Sequence, residues 1–130
     1  MTKKLTIILL SLLFMCTASS CESGYKTVNA RESNTPGIIS MSYTSFDGTK
    51  IGDFLHVFEG EPLELEANII TEKGKLSILI YETGNKENIV YEARDIPTSR
   101  FMIELTEPGD YELWLEAEDH SGSYDLIMVP

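Results

Sequence analysis

From Gly37 to the end of the chain, apolar and polar residues alternate with period two, interrupted at short intervals by turn residues. Leu63, Leu65, Ala67 and Ile69 alternate with Glu64, Glu66 and Asn68, the pattern of a strand with one buried face. After a turn at Glu72-Lys73-Gly74, Leu76, Ile78 and Ile80 continue the pattern; Gly84-Asn85-Lys86 turns again toward a strand around Ile89–Ala93. Pro97 breaks it, and Phe101, Ile103 and Leu105 resume it. Beyond the turn Pro108-Gly109-Asp110, Tyr111, Leu113, Leu115 and Ala117 alternate with Glu112, Trp114, Glu116 and Glu118. Ser121-Gly122 leads to a last strand with Tyr124, Leu126 and Met128 on one side, and Ile38–Thr44 and Ile51–Phe58, divided by Asp47-Gly48, supply two early strands. About eight short strands with no amphipathic helix predict an all-β domain over residues 37–130, an antiparallel β-sandwich. The predicted core is Leu63, Leu65, Ile69, Leu76, Ile78, Ile80, Phe101, Ile103, Leu105, Tyr111, Leu113, Leu115, Tyr124 and Leu126.

The chain before Gly37 reads differently. Lys3 and Lys4 precede an apolar run from Leu5 to Met15, followed by small polar residues, the order of a secretory signal peptide over residues 1–20. That run is about half of the ~20 residues that a permanent membrane helix needs. Residues 21–36 hold few large apolar side chains and read as a flexible tether holding the domain a few nanometres from a membrane.

Ala18-Ser19-Ser20-Cys21 resembles the lipobox of bacterial lipoproteins, in which small residues precede a cysteine that receives a diacylglyceryl thioether and becomes the new N-terminus. Ala18 stands where that family usually has Leu, and Cys16 fits less well because bulky Phe14 and Met15 precede it. The resemblance implies lipidation at Cys21, a membrane anchor through that lipid, and display on the extracytoplasmic face. Removing residues 1–20 would leave Cys21 as the single cysteine, so no internal disulfide could form. It would also remove Lys3 and Lys4 but no acid, taking the net charge from −11 to −13. So acidic a surface repels nucleic acid and anionic headgroups and suits cationic partners, metal ions or neutral glycans.

The segments FEGEPLEL, TEKGKLSILI, PGDYELWLEA and GSYDL resemble a broad group of small secreted and lipoprotein β-sandwich domains. The last two are also similar to the end of pre-peptidase C-terminal domains, accessory sandwiches attached to secreted enzymes. The resemblance implies an Ig-like or jelly-roll-like sandwich and names no activity.

Candidate chemistry is sparse. His56 and His120 are the only histidines and no serine stands in a G-x-S-x-G elbow, so no hydrolase constellation is legible; an enzyme is not expected, nor a cofactor. Glu118, Asp119 and His120 form one candidate metal-binding trio, with a solvated turn as the alternative account. If Leu113 and Leu115 face the core, Trp114 faces outward between Glu112 and Glu116, which predicts an exposed indole at a binding surface. One register of Ile51–Phe58 places Leu55 and Val57 inward and puts Phe54, His56 and Phe58 together outside; the other buries Phe54 and Phe58. The candidate binding residues are thus Trp114, Glu112, Glu116, Phe54 and Phe58. The expected function is a surface-tethered binding or structural module for an extracytoplasmic protein partner. The alternatives are a carbohydrate-binding module using Trp114 on a neutral glycan, or an accessory subunit of an exported enzyme or transporter.

Overall fold

The computed structural model describes residues 24–130, so the predicted signal segment and Cys21 lie outside the described residues. Seven strands follow in order: β1 (Gly24–Val28), β2 (Arg31–Thr35), β3 (Ile38–Val57), β4 (Leu63–Glu82), β5 (Asn85–Ala93), β6 (Ser99–Leu105) and β7 (Gly109–Val129). Every pairing between them is antiparallel.

β3, β4 and β7 have 20, 20 and 21 residues, several times the usual strand length, and each serves two sheets. The first half of β3 pairs with the second half of β7 (Ile38↔Ile127 to Tyr43↔Gly122), and its second half with the first of β7 (Phe46↔His120 to Val57↔Gly109). β4 does the same on the other side of β7 (Glu64↔Val129 to Thr71↔Gly122, then Lys75↔Glu118 to Glu82↔Tyr111). β2 and β6 flank the first set of halves, and β1 and β5 flank the second. The result is two sheets, β2–β3–β7–β4–β6 and β1–β3–β7–β4–β5, joined by three strands that bend through a shared corner, a known way for a chain to switch sheets.

The expected count of about eight strands is therefore corrected to seven. Asp47-Gly48, Glu72-Lys73-Gly74 and Ser121-Gly122 do not reverse the chain; they are the corners of β3, β4 and β7. Turn residues report a local backbone conformation, not which way the chain leaves it. At Gly74 (φ +75°) a Cβ would lie 2.1 Å from the Asp119 carbonyl oxygen, and at Gly122 (φ +146°) 1.9 Å from that of Ile70. Neighbouring backbones cross there too closely for any side chain.

The core lies between the sheets. All fourteen predicted core residues belong to it or pack against it, joined by Met41, Tyr43, Phe46, Leu55, Val57 and Ile96. Leu55, Leu65, Leu113 and Leu126 meet across it around a void of about 10 Å³, close to the smallest that could hold one water. The Tyr111 hydroxyl donates to the Glu107 carbonyl (2.7 Å) and pins the entry to β7.

The flexible tether is also corrected. Within residues 21–36, β1 pairs with β3 from Gly24↔Thr49 to Val28↔Ser45, and β2 from Arg31↔Ser42 to Thr35↔Ile38. Almost every residue of these two strands is exposed. They join the sheet through main-chain hydrogen bonds, so hydrophobic alternation had nothing to register. A few side chains assist: Lys50 pairs with Glu32 (2.8 Å) and sits over the Tyr25 ring, whose edge meets Phe46.

Candidate functional site on the outer face of the second sheet

The outer face of the second sheet gathers most of the predicted binding residues. Along β7, Glu112, Trp114 and Glu116 alternate there; Phe54, Ile51 and Thr49 of β3 stand opposite them on one side, Tyr81, Leu79 and Ser77 of β4 on the other. A bulge at Gly52, between the pairs Ile51↔Trp114 and Asp53↔Leu113, inverts the parity of β3. Leu55 and Val57 then point inward (3% and 1% exposed), while Phe54 and Phe58 point outward (65% and 60%). Of the two registers, the structure adopts the one that exposes both phenylalanines.

Trp114 overturns an expectation. Its parity is as predicted, across the sheet from Leu113 and Leu115, yet it is only 5% exposed. The indole sits beside fully buried Leu79 and half-buried Ile51, with Tyr81 edge-on at 6.4 Å. Lys86, from the β4–β5 hairpin, lays its ammonium 4.6 Å from the ring centroid, a cation–π contact. Counting along β7 fixes the face but not what neighbouring strands lay over it. Flanking Glu112 and Glu116 are half-buried, and Glu116 is paired with Arg94 at 3.3 Å. The indole Nε1–H itself has no protein partner, uncommon for a buried donor.

One cross-strand row beyond Trp114, at Thr49–Glu116–Ser77, a cleft of about 330 Å³ opens toward the corner, its walls also including Lys75, Arg94 and Glu118. Arg94 also bonds Glu92, and this carboxylate, with Glu116 beside it, raises the affinity of the guanidinium for its proton. Sequence reasoning missed Thr49, Lys75, Ser77 and Arg94: they come from three separate stretches of the chain, so no spacing foretells their meeting.

The metal trio is not brought together. Glu118 and Asp119 are exposed, but His120 is 0% exposed and turned into the corner. Its Nδ1 lies 2.6 Å from the Tyr43 hydroxyl and its Nε2 2.8 Å from Thr71 Oγ1. Thr71 Oγ1 gives its proton to the Ile96 carbonyl (2.8 Å), so Nε2–H must donate to Thr71 and Nδ1 accepts from Tyr43. His120 is thus the neutral Nε2–H tautomer, and burial lowers its pKa from the ordinary histidine value. Both nitrogens are occupied, and the ring is buried while both acids stand in solvent. Among the described residues, no three acidic, histidine or cysteine side chains are grouped to hold a metal ion.

At the far end of the face, Phe54, His56 and Phe58 form an exposed stripe. The His56 ring meets Phe58 edge-on at 4.3 Å, and its Nδ1 is 2.5 Å from Asp110 Oδ1. Exposed Glu59, Glu61 and Asp110 border the stripe.

No family model matches the chain, and no curated protein matches it in sequence. Among solved structures it is similar to a CBM4 (10% identity, 78% of this chain and 76% of the other, TM-score 0.41). Others are accessory secretory protein 1, 2 and 3 of Streptococcus pneumoniae (10%, 82% and 90%, 0.39) and the carbohydrate-binding module CBM6cm-2 from Cellvibrio mixtus lichenase 5A in complex with cellotriose (14%, 82% and 82%, 0.38). Likenesses at this level assign neither ligand nor activity. The class that the chain's own geometry defines is an antiparallel β-sandwich with one structured outer face.

Proposed function

We propose that the chain is a non-catalytic binding module, lipid-anchored through Cys21 on the extracytoplasmic face of the membrane. It engages an exported or membrane-bound protein through the outer face of its second sheet. The observation that supports this most is the cleft between Thr49, Lys75, Arg94 and Glu116. It has a rigid sheet floor and walls of both charge signs, with Arg94 bridging Glu92 and Glu116 on its rim. Prepaired charges around a fixed concavity can select a partner by complementary polar groups without reorganising. Photo-crosslinking in intact native cells tests the reading. A photoreactive residue at Thr49 or Lys75 should give a discrete protein adduct, and one at Met102 on the other sheet should not. The reading fails if neither cleft position gives an adduct.

A neutral glycan is the second reading, favoured by the Trp114 N–H, which has no protein partner. A sugar hydroxyl could accept that proton once Lys86 moves aside. Saturable change in Trp114 fluorescence on titration with oligosaccharides would select it over the protein partner.

A further inference from the structure

We propose that the Phe54–His56–Phe58 stripe, at the end of this face away from the Thr49–Glu116 cleft, is the edge that the domain rests on the phospholipid bilayer. The inference rests on the reading of Cys21 as the lipidated N-terminus. Because β1 begins at Gly24, only Glu22 and Ser23 separate that cysteine from the folded domain. Three residues of chain reach at most about 10 Å, so a lipid on Cys21 leaves the domain no room to stand off.

The direction of β1 selects the side that touches. β1 runs antiparallel to β3 with Gly24 opposite Thr49, so the line of β1, followed back past Gly24, heads along β3 toward Lys50 and on to Phe58. Among the described residues, no strand pairs with Lys50–Val57 on that side. There the Gly52 bulge turns Phe54 and Phe58 outward, 65% and 60% exposed. Two bare phenyl rings on the edge nearest a lipid anchor fit the acyl–headgroup boundary, where aromatic side chains settle. The bordering acids Asp53, Glu59, Glu61 and Asp110 keep the contact shallow and favour neutral over anionic headgroups. A protein partner would have to insert between this edge and a membrane held within that reach.

Full-length protein, processed and purified in detergent, can be reconstituted into phosphatidylcholine vesicles carrying a headgroup nitroxide. With its sulfur in a thioether, Cys21 leaves one engineered thiol to label, at Glu59→Cys beside the stripe or at Met102→Cys on the outer face of the first sheet. Fluorophore quenching should be several-fold stronger at position 59 than at 102, and Phe54→Ser/Phe58→Ser should abolish that bias. Equal quenching at both positions, or a bias that survives the double substitution, would overturn the orientation while leaving lipidation standing. An intact mass without the diacylglyceryl group would overturn the anchored reading itself, and this orientation with it.

Discussion

The Tyr43 hydroxyl donates to Nδ1 of His120 across 2.6 Å, joining β3 to β7 at the corner where both strands change sheet. Thr71 brings β4 into the same network through Nε2. The one buried imidazole of the described chain thus ties together the three strands that build both sheets. With both nitrogens committed, a second proton has no acceptor: Nδ1–H would face the hydroxyl that now donates to it.

Stability should therefore fall with acidification. Burial lowers the folded-state pKa of His120 below its unfolded value of about 6.5. Between the two values the unfolded chain binds more protons, so this contribution is complete above about pH 6.5 and is lost as pH drops toward the folded pKa. Urea midpoints measured from pH 7.5 down to 5.5 should fall for the native protein, and His120→Gln should flatten that slope. An identical slope in the variant would remove His120 as its source. Tyr43→Phe strands Nδ1 and should cost about 1–3 kcal/mol at pH 7.5.

Corner glycines should respond differently from a turn glycine. Gly122→Ala places a methyl 1.9 Å from the Ile70 carbonyl oxygen, where two central strands cannot separate without breaking pairs on both sides. Gly84, at φ +81° in the β4–β5 turn, faces open space. Gly84→Ala should cost about 1–2 kcal/mol of left-handed strain, and Gly122→Ala more than about 4 kcal/mol. Thermal unfolding of the pair checks the ranking.

β1 and β2 should show in hydrogen exchange as structured but weakly held. Amides of Lys26–Val28 and Glu32–Asn34 that bond β3 should exchange more slowly than in a free chain, and faster than those of β7. Exchange at free-chain rates through Thr35 would restore a tether and lengthen the reach that orients the domain.

The legible and illegible parts divide by the kind of interaction behind them. Leu65, Ile78 and Leu115 announced themselves because a strand that buries one face must alternate. Gly74 and Gly122 were legible as backbone exceptions but not as corners, since the clash that requires them comes from strands more than forty residues distant. β1 and β2 were missed because main-chain pairing leaves no side-chain signature. His120 was read from its sequence neighbours Glu118 and Asp119, whereas its partners Tyr43 and Thr71 lie 77 and 49 residues away. Phe54 and Phe58 were found because only one of two parities could hide them.

Trp114 gives the last test, and it separates face from burial. The ring is 95% withdrawn from solvent although it lies outside the main core, so its cover is Lys86, Tyr81 and the adjoining apolar residues of β3 and β4. Emission of this sole tryptophan should be blue-shifted and poorly quenched by acrylamide, and Lys86→Ala should raise quenching without unfolding the protein. Trp114→Ala removes a large side chain from a closed niche and should cost about 3–5 kcal/mol. Trp114→Phe keeps an aromatic ring and also deletes the unpaired Nε1–H, whose burial unmatched costs about 1–3 kcal/mol. The second variant should therefore lose far less stability than the first. Equal losses would mean that the indole N–H has a partner after all, and a red-shifted, readily quenched native emission would mean that Lys86 does not cover the ring.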